Sequence, residues 1–266
     1  MKFSVIVVCL NPGDKLGPTM ESILKQDYPD FDVIVKDGGS KDGSIEKLVQ
    51  DNRIKLFVEK DTGIYDAMNQ AVAHADGDFV IFMNCGDSFY DESVLTKVSE
   101  LAKKEQGEAP LVIYGNIYNE KSKSFITPAP TINGFTCYRN VPCHQSCIYS
   151  TALCKQKPYE PKFKIRADYE HFLWCYYVGK AKMIHLDYAV ANYEGGGFSE
   201  TKENLKRSKK EHEEITKRYM KTGELFKYKM ILALTLAPIR RKMAESPKFS
   251  AFYHKCTSFL YGKKQK

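Results

Sequence analysis

The residues most readily assigned to chemistry lie in the turn Asn84-Cys85-Gly86-Asp87, which follows the apolar run Ile81-Phe82-Met83. An apolar run that ends at such a turn places a carboxylate at the carboxyl end of a buried strand, where open α/β sheets bind ligands. Hard divalent cations prefer oxygen ligands and usually share them with substrate phosphates. One Asp with an Asn three residues earlier therefore suits a metal-bridged diphosphate and a nearby sugar hydroxyl. Because Asn, Gly and Asp are also common turn residues, an ordinary solvated turn is the alternative.

Two earlier strand-like runs end in the same way. Residues 31–35 are followed by Asp37, and residues 54–58 are followed by Asp61. Together with the β-branched run at residues 3–9 and the intervening helix-like stretches, they predict a parallel, doubly wound α/β sheet. Parallel strands end at the same edge, so these acidic residues are expected to meet there.

The segment after Asp37 combines glycines with short polar side chains. Gly38 and Gly39 let the backbone approach a ligand closely, because neither carries a Cβ. Asp42 or Ser44 is placed to cap a following helix.

Four segments of the sequence resemble a known family. The segments are SVIVVCLNPG, VIVKDGGSKDGS, EKDTGIYDAMNQAVAHADGDFVIFMNCGD and RADYEHFLW. They resemble family 2 glycosyltransferases, which are inverting, nucleotide-sugar-dependent enzymes of the GT-A fold. The resemblance implies a nucleotide-binding α/β half, a metal-binding motif of the DxD type and a catalytic carboxylate on a later helix.

The resemblance also implies roles for single residues. The implied donor-nucleotide residues are Leu10, Asn11, Asp37, Gly39, Asp61 and Asn84. Among them, Asp37 matches the acid that reads the nucleobase, Asp61 a second acid near the base, and Asn84 a position near the ribose. Asp87 matches the ligand of Mn²⁺ or Mg²⁺.

Two positions depart from the family pattern. Asn84 and Gly86 stand where many members carry Asp, so one carboxylate would hold the metal. Met68 stands where an Arg is usual, so a contact to the donor diphosphate would come from another residue.

The carboxylate that matches the family's catalytic base is Asp168, with Ala167 in place of the usual preceding Glu. Such a base takes the proton from the attacking sugar hydroxyl. The alternative role is an acid favoured by the helix dipole at the start of a helix. Glu170, which faces another direction on a helix, is the reserve candidate.

Two further segments resemble acceptor-side features of the family. His144-Gln145 matches a segment near the acceptor side of the cleft, although a hydrogen-bonded structural His is an equal alternative. The loop around Gly196 resembles one that closes over the donor, which an ordinary surface loop would also resemble.

The eight cysteines include no CxxC pair, which disfavours a structural zinc site. The chain opens directly into a strand-like run rather than a signal peptide, so a reducing cytoplasm is the expected location.

Charge is unevenly distributed along the 266 residues. Residues 201–266 carry a net charge of +12 and the whole chain +7, so residues 1–200 carry −5. An acidic catalytic half suits a cation-dependent site and argues against a nucleic-acid enzyme, whose active face would normally be basic. The predicted organisation is a GT-A domain at 1–200, with a nucleotide-sugar half at about 1–117 and an acceptor half at about 118–200. A basic helical extension follows at 201–266.

The basic extension mixes apolar and aromatic runs with lysine and arginine. The apolar stretch at residues 230–237 is too short to span a bilayer, which needs about 20 residues. Two interpretations stay open: a segment that binds an anionic membrane surface peripherally, on the inner face of the plasma membrane, or a helix pair that docks on the domain. The segment at residues 202–222 is predicted to be a packing helix that uses Leu205, Ile215 and Tyr219.

These observations predict a metal-dependent inverting glycosyltransferase. It would move a sugar from a nucleoside-diphosphate sugar, UDP-linked, to the hydroxyl of a glycan or lipid-linked acceptor in bacterial polysaccharide or lipid-linked oligosaccharide synthesis. The alternatives are a sugar-nucleotidyltransferase, whose basic phosphate loop is missing after the first strand-like run, and a non-catalytic nucleotide-binding module, which needs no base at Asp168.

Overall fold

The computed structural model describes residues 1–105, 107–195 and 201–235. Within them the strands are β1 (Phe3–Cys9), β2 (Phe31–Asp37), β3 (Ile54–Val58), β4 (Phe79–Phe82), β5 (Ser88–Phe89), β6 (Leu111–Asn119), β7 (Ser124–Ile126), β8 (Cys147–Ser150) and β9 (Lys182–Tyr193). The α-helices are α1 (Leu16–Leu24), α2 (Ile64–Ala73), α3 (Val94–Glu105), α4 (Gly134–Arg139), α5 (Thr151–Gln156), α6 (Ala167–Tyr177), α7 (Lys202–Tyr219) and α8 (Thr222–Leu234). Two short 3-10 helices lie at Gly13–Lys15 and His144–Ser146.

The strands form one mixed sheet in the order β3-β2-β1-β4-β8-β6-β9-β5, and β7 pairs with β6. The strands β3, β2, β1 and β4 are parallel neighbours, which confirms the parallel α/β sheet predicted for the first half. β8 pairs with β4 in antiparallel orientation, and β6 pairs with β8 on its other side, also antiparallel. The carboxyl ends of β2, β1 and β4 therefore lie side by side at one edge of the sheet.

The strands β1 and β2 of the parallel half are buried along their whole length. The odd-numbered residues of β1 belong to a core shared with α1 and α3. The residues that alternate with them point to the other face of the sheet, where α2 packs on β1 and β2. Helices on both faces explain why both strands are buried along their length.

The helix that Asp42 or Ser44 was predicted to cap does not form, since residues 41–53 contain no helix. Asp42 instead joins two loops. Its Oδ2 accepts a hydrogen bond from the backbone N–H of Gly13 (2.8 Å), and its Oδ1 accepts one from the Ser44 hydroxyl (2.6 Å). The capping prediction was wrong: the Asp42 carboxylate accepts hydrogen bonds from the loop after β1 and from Ser44, and no helix follows it directly.

Residues Met1–Tyr219 form one compact unit, and α8 belongs to a second unit that begins at Met220. The predicted helix forms as α7 and ends at Tyr219. Ile215 is fully buried as predicted, but the prediction for Leu205 was wrong, because this side chain faces solvent and is 51% exposed. The predicted basic extension beyond residue 235 lies outside the described residues. In the described part of the chain, no helix combines the length and apolar character needed to cross a membrane.

Candidate active site

The loops after β1 and β2 are joined through Asn11. Its backbone N–H donates to the Ser40 hydroxyl (2.7 Å), and its Oδ1 accepts from the backbone N–H of Lys41 (2.8 Å). Asn11 has φ +49°, a left-handed conformation in which Asn is enriched. The preceding Leu10 is left 58% exposed at the carboxyl end of β1.

Asp37 is buried at the end of β2 and shapes its own loop. Its Oδ2 accepts hydrogen bonds from the backbone N–H groups of Gly39 (2.9 Å) and Ser40 (2.8 Å). Gly39 has φ +97°, which a side chain would strain. The loop is therefore held in place without a ligand, and the predicted contact of Asp37 with a nucleobase stays a prediction.

Asp61 lies against this loop. A Cβ on Gly38 would stand 2.7 Å from Asp61 Oδ2 and 3.4 Å from Leu10 Cδ1, so a side chain at this position would require the Asp61 carboxylate to shift. The Lys36 ammonium, which is completely buried, lies 3.4 Å from the same Asp61 oxygen and donates to the carbonyl oxygen of Glu59 (2.5 Å). Gly38 thus lies between Leu10 and Asp61, beside the sheet edge.

Asp87 lies after β4 and is 5% exposed. Its Oδ1 accepts a hydrogen bond from the backbone N–H of Glu194 (3.0 Å), and its Oδ2 accepts one from Gln145 Nε2 (2.9 Å). Burial raises the pKa of Asp87 to about 6, although both hydrogen bonds act in the opposite direction. A buried carboxylate of this kind gains from a nearby positive charge.

The residues present fit a divalent cation that arrives together with a diphosphate. In the described chain no three His, Cys, Asp or Glu side chains are placed to hold an ion by themselves. Asp87 supplies a carboxylate, and Asn84 Oδ1 is buried with no hydrogen-bond partner among the described residues. A cation that takes one or two protein oxygens and completes its shell with substrate phosphates needs no more than this.

Asp168 lies in the first turn of α6 and is half-buried. The Tyr65 hydroxyl on α2 lies within hydrogen-bond distance of Asp168 Oδ1 (2.9 Å) and of the carbonyl oxygen of Ile165 (3.0 Å). Burial, and then the charge of Asp168, raises the pKa of Tyr65 well above 10, so Tyr65 stays protonated. Among the described residues, Asp168 Oδ2 has no hydrogen-bond donor.

The segment between Asp87 and Asp168 is the 3-10 helix at His144–Ser146 with the preceding Cys143. Burial raises the pKa of the Cys143 thiol to about 12, and the charges of both Asp87 and Asp168 add to that effect. His144 Nε2 lies 3.0 Å from the Tyr159 hydroxyl, and burial lowers the pKa of His144. Gln145 donates a hydrogen bond to Asp87 and therefore lies beside the turn after β4.

Glu170 has different surroundings from Asp168. It is completely buried, and its carboxylate lies 2.9 Å from Arg218 Nη1 and 3.2 Å from Lys157 Nζ. The Tyr219 hydroxyl also donates to it. These contacts describe an ion-paired group that joins α6 to α7. Gly196, the remaining predicted site residue, lies outside the described residues.

Several site residues were missed by sequence reasoning. They are Lys15, Lys36, Tyr65, Glu194 and Glu211. Lys36 stands beside the predicted Asp37, and an apolar run that ends in a lysine was a usable signal. The others meet the site through contacts between distant segments, for which the sequence carries no local pattern.

Comparison with known proteins identifies the family. The sequence profile described as "Glycosyl transferase family 2" matches residues 4–184, more than half of the chain. This protein therefore belongs to family 2 of the glycosyltransferases and is a glycosyltransferase enzyme. A PGL/p-HBAD biosynthesis glycosyltransferase of Mycobacterium bovis is 29% identical over 215 residues, which cover 77% of this chain and 83% of that protein.

Solved structures agree on the fold. The crystal structure of S. aureus TarS 1–349 has a TM-score of 0.61 at 23% identity, over 73% of this chain and 60% of that chain. Its complex with UDP-GlcNAc has a TM-score of 0.65 at 20% identity, over 99% and 76%. The mannosyltransferase PcManGT from Pyrobaculum calidifontis, in complex with GDP-Man and Mn²⁺, has a TM-score of 0.59 at 14% identity, over 99% and 88%. The α/β fold is thus that of GT-A-like glycosyltransferases, while the substrates of these proteins carry over only as proposals.

Proposed function

We propose that this protein is a metal-dependent, inverting glycosyltransferase that moves a sugar from a nucleoside-diphosphate donor to a hydroxyl acceptor. The observation that carries the proposal is the arrangement of two carboxylates around one segment. Asp87 is hydrogen-bonded to Gln145, and both Asp87 and Asp168 act electrostatically on the neighbouring Cys143 thiol. Asp87 lies at the sheet edge beside the loops after β1 and β2. Asp168 lies across the segment from it, in the first turn of α6.

Asp168 is the proposed base. Inverting displacement needs a base on one side of the anomeric carbon and help for the leaving group on the other side. Tyr65 holds Oδ1 of Asp168 from the side of α2, which leaves Oδ2 to accept the proton of the acceptor hydroxyl. Glu170 is the weaker candidate, because it is completely buried and its carboxylate is ion-paired with Arg218 and Lys157.

Asp87 is the proposed metal ligand, and Asn84 lies on the same turn. A divalent cation bound there supplies charge stabilisation for the leaving diphosphate. The loops that contain Leu10, Asn11 and Gly39 form the proposed nucleotide side, with Asp37 and Asp61 toward the base. A UDP-linked donor is supported by the fold match to TarS, which was solved with UDP-GlcNAc.

The proposed acceptor is a glycan or lipid-linked hydroxyl in the synthesis of a bacterial surface polysaccharide or lipid-linked oligosaccharide. The Mycobacterium relative, named for PGL/p-HBAD biosynthesis, supports a bacterial glycan setting. A cytoplasmic enzyme that attaches to the inner membrane surface through its basic extension fits a lipid-linked acceptor.

The test is a donor screen with purified protein. UDP-, GDP- and dTDP-sugars are incubated with Mn²⁺, Mg²⁺ or EDTA, and release of the nucleoside diphosphate is measured beside calorimetric binding of UDP and GDP. We expect cation-dependent binding and release with one base, both lost in Asp87→Asn. Glu100→Gln, an exposed acid on α3, is the control that should behave as wild type. A wild-type protein that neither binds a nucleoside diphosphate nor releases one would refute the proposal.

A further inference from the structure

Lys15 and Glu194 form an ion pair directly above the turn that contains Asp87. Lys15 Nζ lies 2.5 Å from Glu194 Oε2, although the two residues are 179 positions apart. A Cβ on Gly86 would stand 2.5 Å from the same Glu194 oxygen and 3.3 Å from Lys15 Cδ. The pair is therefore packed on the backbone of the proposed metal-binding turn.

The charges of Lys15 and Glu194 both act on the Asp87 carboxylate. The charge of Glu194 raises the pKa of Asp87, and the charge of Lys15 lowers it. The backbone N–H of Glu194 also donates to Asp87 Oδ1. The Lys15 ammonium, the Glu194 carboxylate and the proposed cation ligand Asp87 thus lie close together.

The side chains of the pair remain accessible to solvent, with 55% of Lys15 and 49% of Glu194 exposed. Exposed ion pairs contribute little to stability, because water screens them and ordering two long side chains costs entropy. A carboxylate held this weakly can be displaced by an anion of higher charge. A diphosphate bound to a cation at Asp87 would be such an anion, since phosphate oxygens accept strong charge-assisted hydrogen bonds from lysine.

We propose that Lys15 binds the diphosphate of the sugar donor, and that Glu194 occupies this anion site until the donor displaces it. The inference rests on the proposed function and adds a diphosphate-binding residue to it. It also assigns a phosphate contact in a chain whose Met68 is buried in the core and cannot reach a phosphate.

Two variants separate this role from a structural one, and calorimetric titration with UDP and GDP at saturating Mn²⁺ is the measurement. Lys15→Met removes the cation and should weaken binding about 10- to 100-fold, the loss of one charge-assisted hydrogen bond. Glu194→Gln removes the competitor but keeps its backbone N–H to Asp87, and should strengthen binding about 2- to 5-fold. Lys25→Met is the matched control, because Lys25 is 56% exposed and ion-paired with Glu21 on α1; its binding should stay within about 2-fold of wild type.

The two variants must therefore shift the affinity in opposite directions. If Lys15→Met binds like wild type, or if both variants weaken binding equally because the pair is only a strut for the turn, the inference is wrong. Those results leave the proposed function intact, because wild type still binds the nucleoside diphosphate. A wild-type protein that binds neither UDP nor GDP overturns the proposed function and this inference together.

Discussion

At the scale of single residues, the two candidate carboxylates owe their roles to their surroundings. Asp87 is buried, and its pKa is raised to about 6, so it favours a bound cation or a proton. Asp168 is half-buried, touches one hydroxyl and has an oxygen without a donor in the described chain. Different environments give two chemically identical groups different tasks.

Replacement of Asp168 by Asn is the direct test of the base. The amide is nearly isosteric but cannot take up a proton, so turnover should fall roughly 10²- to 10⁴-fold. Donor affinity, measured by calorimetry, should change little because the donor contacts lie on other elements. Glu170→Gln should instead lower the melting temperature, since it breaks a buried ion pair. If Glu170→Gln, assayed well below its melting temperature, abolishes turnover while Asp168→Asn retains it, the base is Glu170.

At the scale of elements, α7 holds the start of α6 through one carboxylate. Glu211 is 6% exposed and accepts hydrogen bonds from the backbone N–H groups of Lys164 (3.0 Å), Ile165 (3.0 Å) and Arg166 (2.9 Å). These three residues lead directly into Asp168. A single buried side chain on one helix thereby orients the end of another helix at which the proposed base, Asp168, lies.

Glu211→Gln should test this positioning role. The amide nitrogen would face a backbone donor, which leaves a buried N–H unsatisfied and costs about 1–3 kcal/mol of unfolding free energy. Turnover should fall more than donor affinity, because only the Asp168 side of the site moves. Glu214→Gln, an exposed ion-paired acid on the same helix, should change the unfolding free energy by less than about 0.5 kcal/mol. Equal losses of turnover and donor affinity would indicate general destabilisation instead.

The buried histidine of α6 predicts acid sensitivity. His171 is 1% exposed, and burial lowers its pKa from 6.5 to about 3. In this pH range the His171 side chain therefore binds a proton in the unfolded chain but not in the folded chain. The free energy of unfolding decreases as the pH falls from about 6.5 toward 3. Between pH 7 and 5 this one group should remove about 2 kcal/mol. Urea unfolding of His171→Phe should lack that component; parallel pH profiles of variant and wild type would contradict it.

At the scale of the whole molecule, charge and apolar surface coincide near the carboxyl-terminal end. Residues 201–266 carry a net +12, whereas residues 1–200 carry −5. On α8 the exposed apolar residues Phe226 (67%), Met230 (44%) and Leu234 (75%) are four positions apart, so they share one face. A basic segment with an apolar face is typical of binding to an anionic membrane interface.

Sedimentation with liposomes tests the proposed membrane attachment. The full chain should co-sediment with anionic vesicles at low salt and detach as salt rises, since each basic residue near such a surface contributes about 1 kcal/mol that salt screens. A chain that ends at Thr222 should stay in the supernatant. Neutral phosphatidylcholine vesicles are the control and should bind neither. Equal behaviour of the two chains on anionic vesicles would assign the extension to a structural role.

The sequence by itself determined the strands of the parallel half and the residues at their ends. Buried β-branched runs such as residues 3–9, and the Asp and Gly residues at positions 37–39 and 86–87, are local patterns. The positions of Asp37 and Asp87 at the sheet edge could therefore be predicted. Local patterns also placed Asp168 at a helix start.

Only the tertiary structure decided which groups meet. Gln145 reaches Asp87 across 58 positions, Glu211 reaches Ile165 across 46, and Lys15 reaches Glu194 across 179. Such pairs depend on the sheet order, in which β8 inserts between β4 and β6, and on the packing of α7 against α6. Long-range packing leaves no periodic trace in the sequence, because each partner satisfies its local rules whether or not the contact forms.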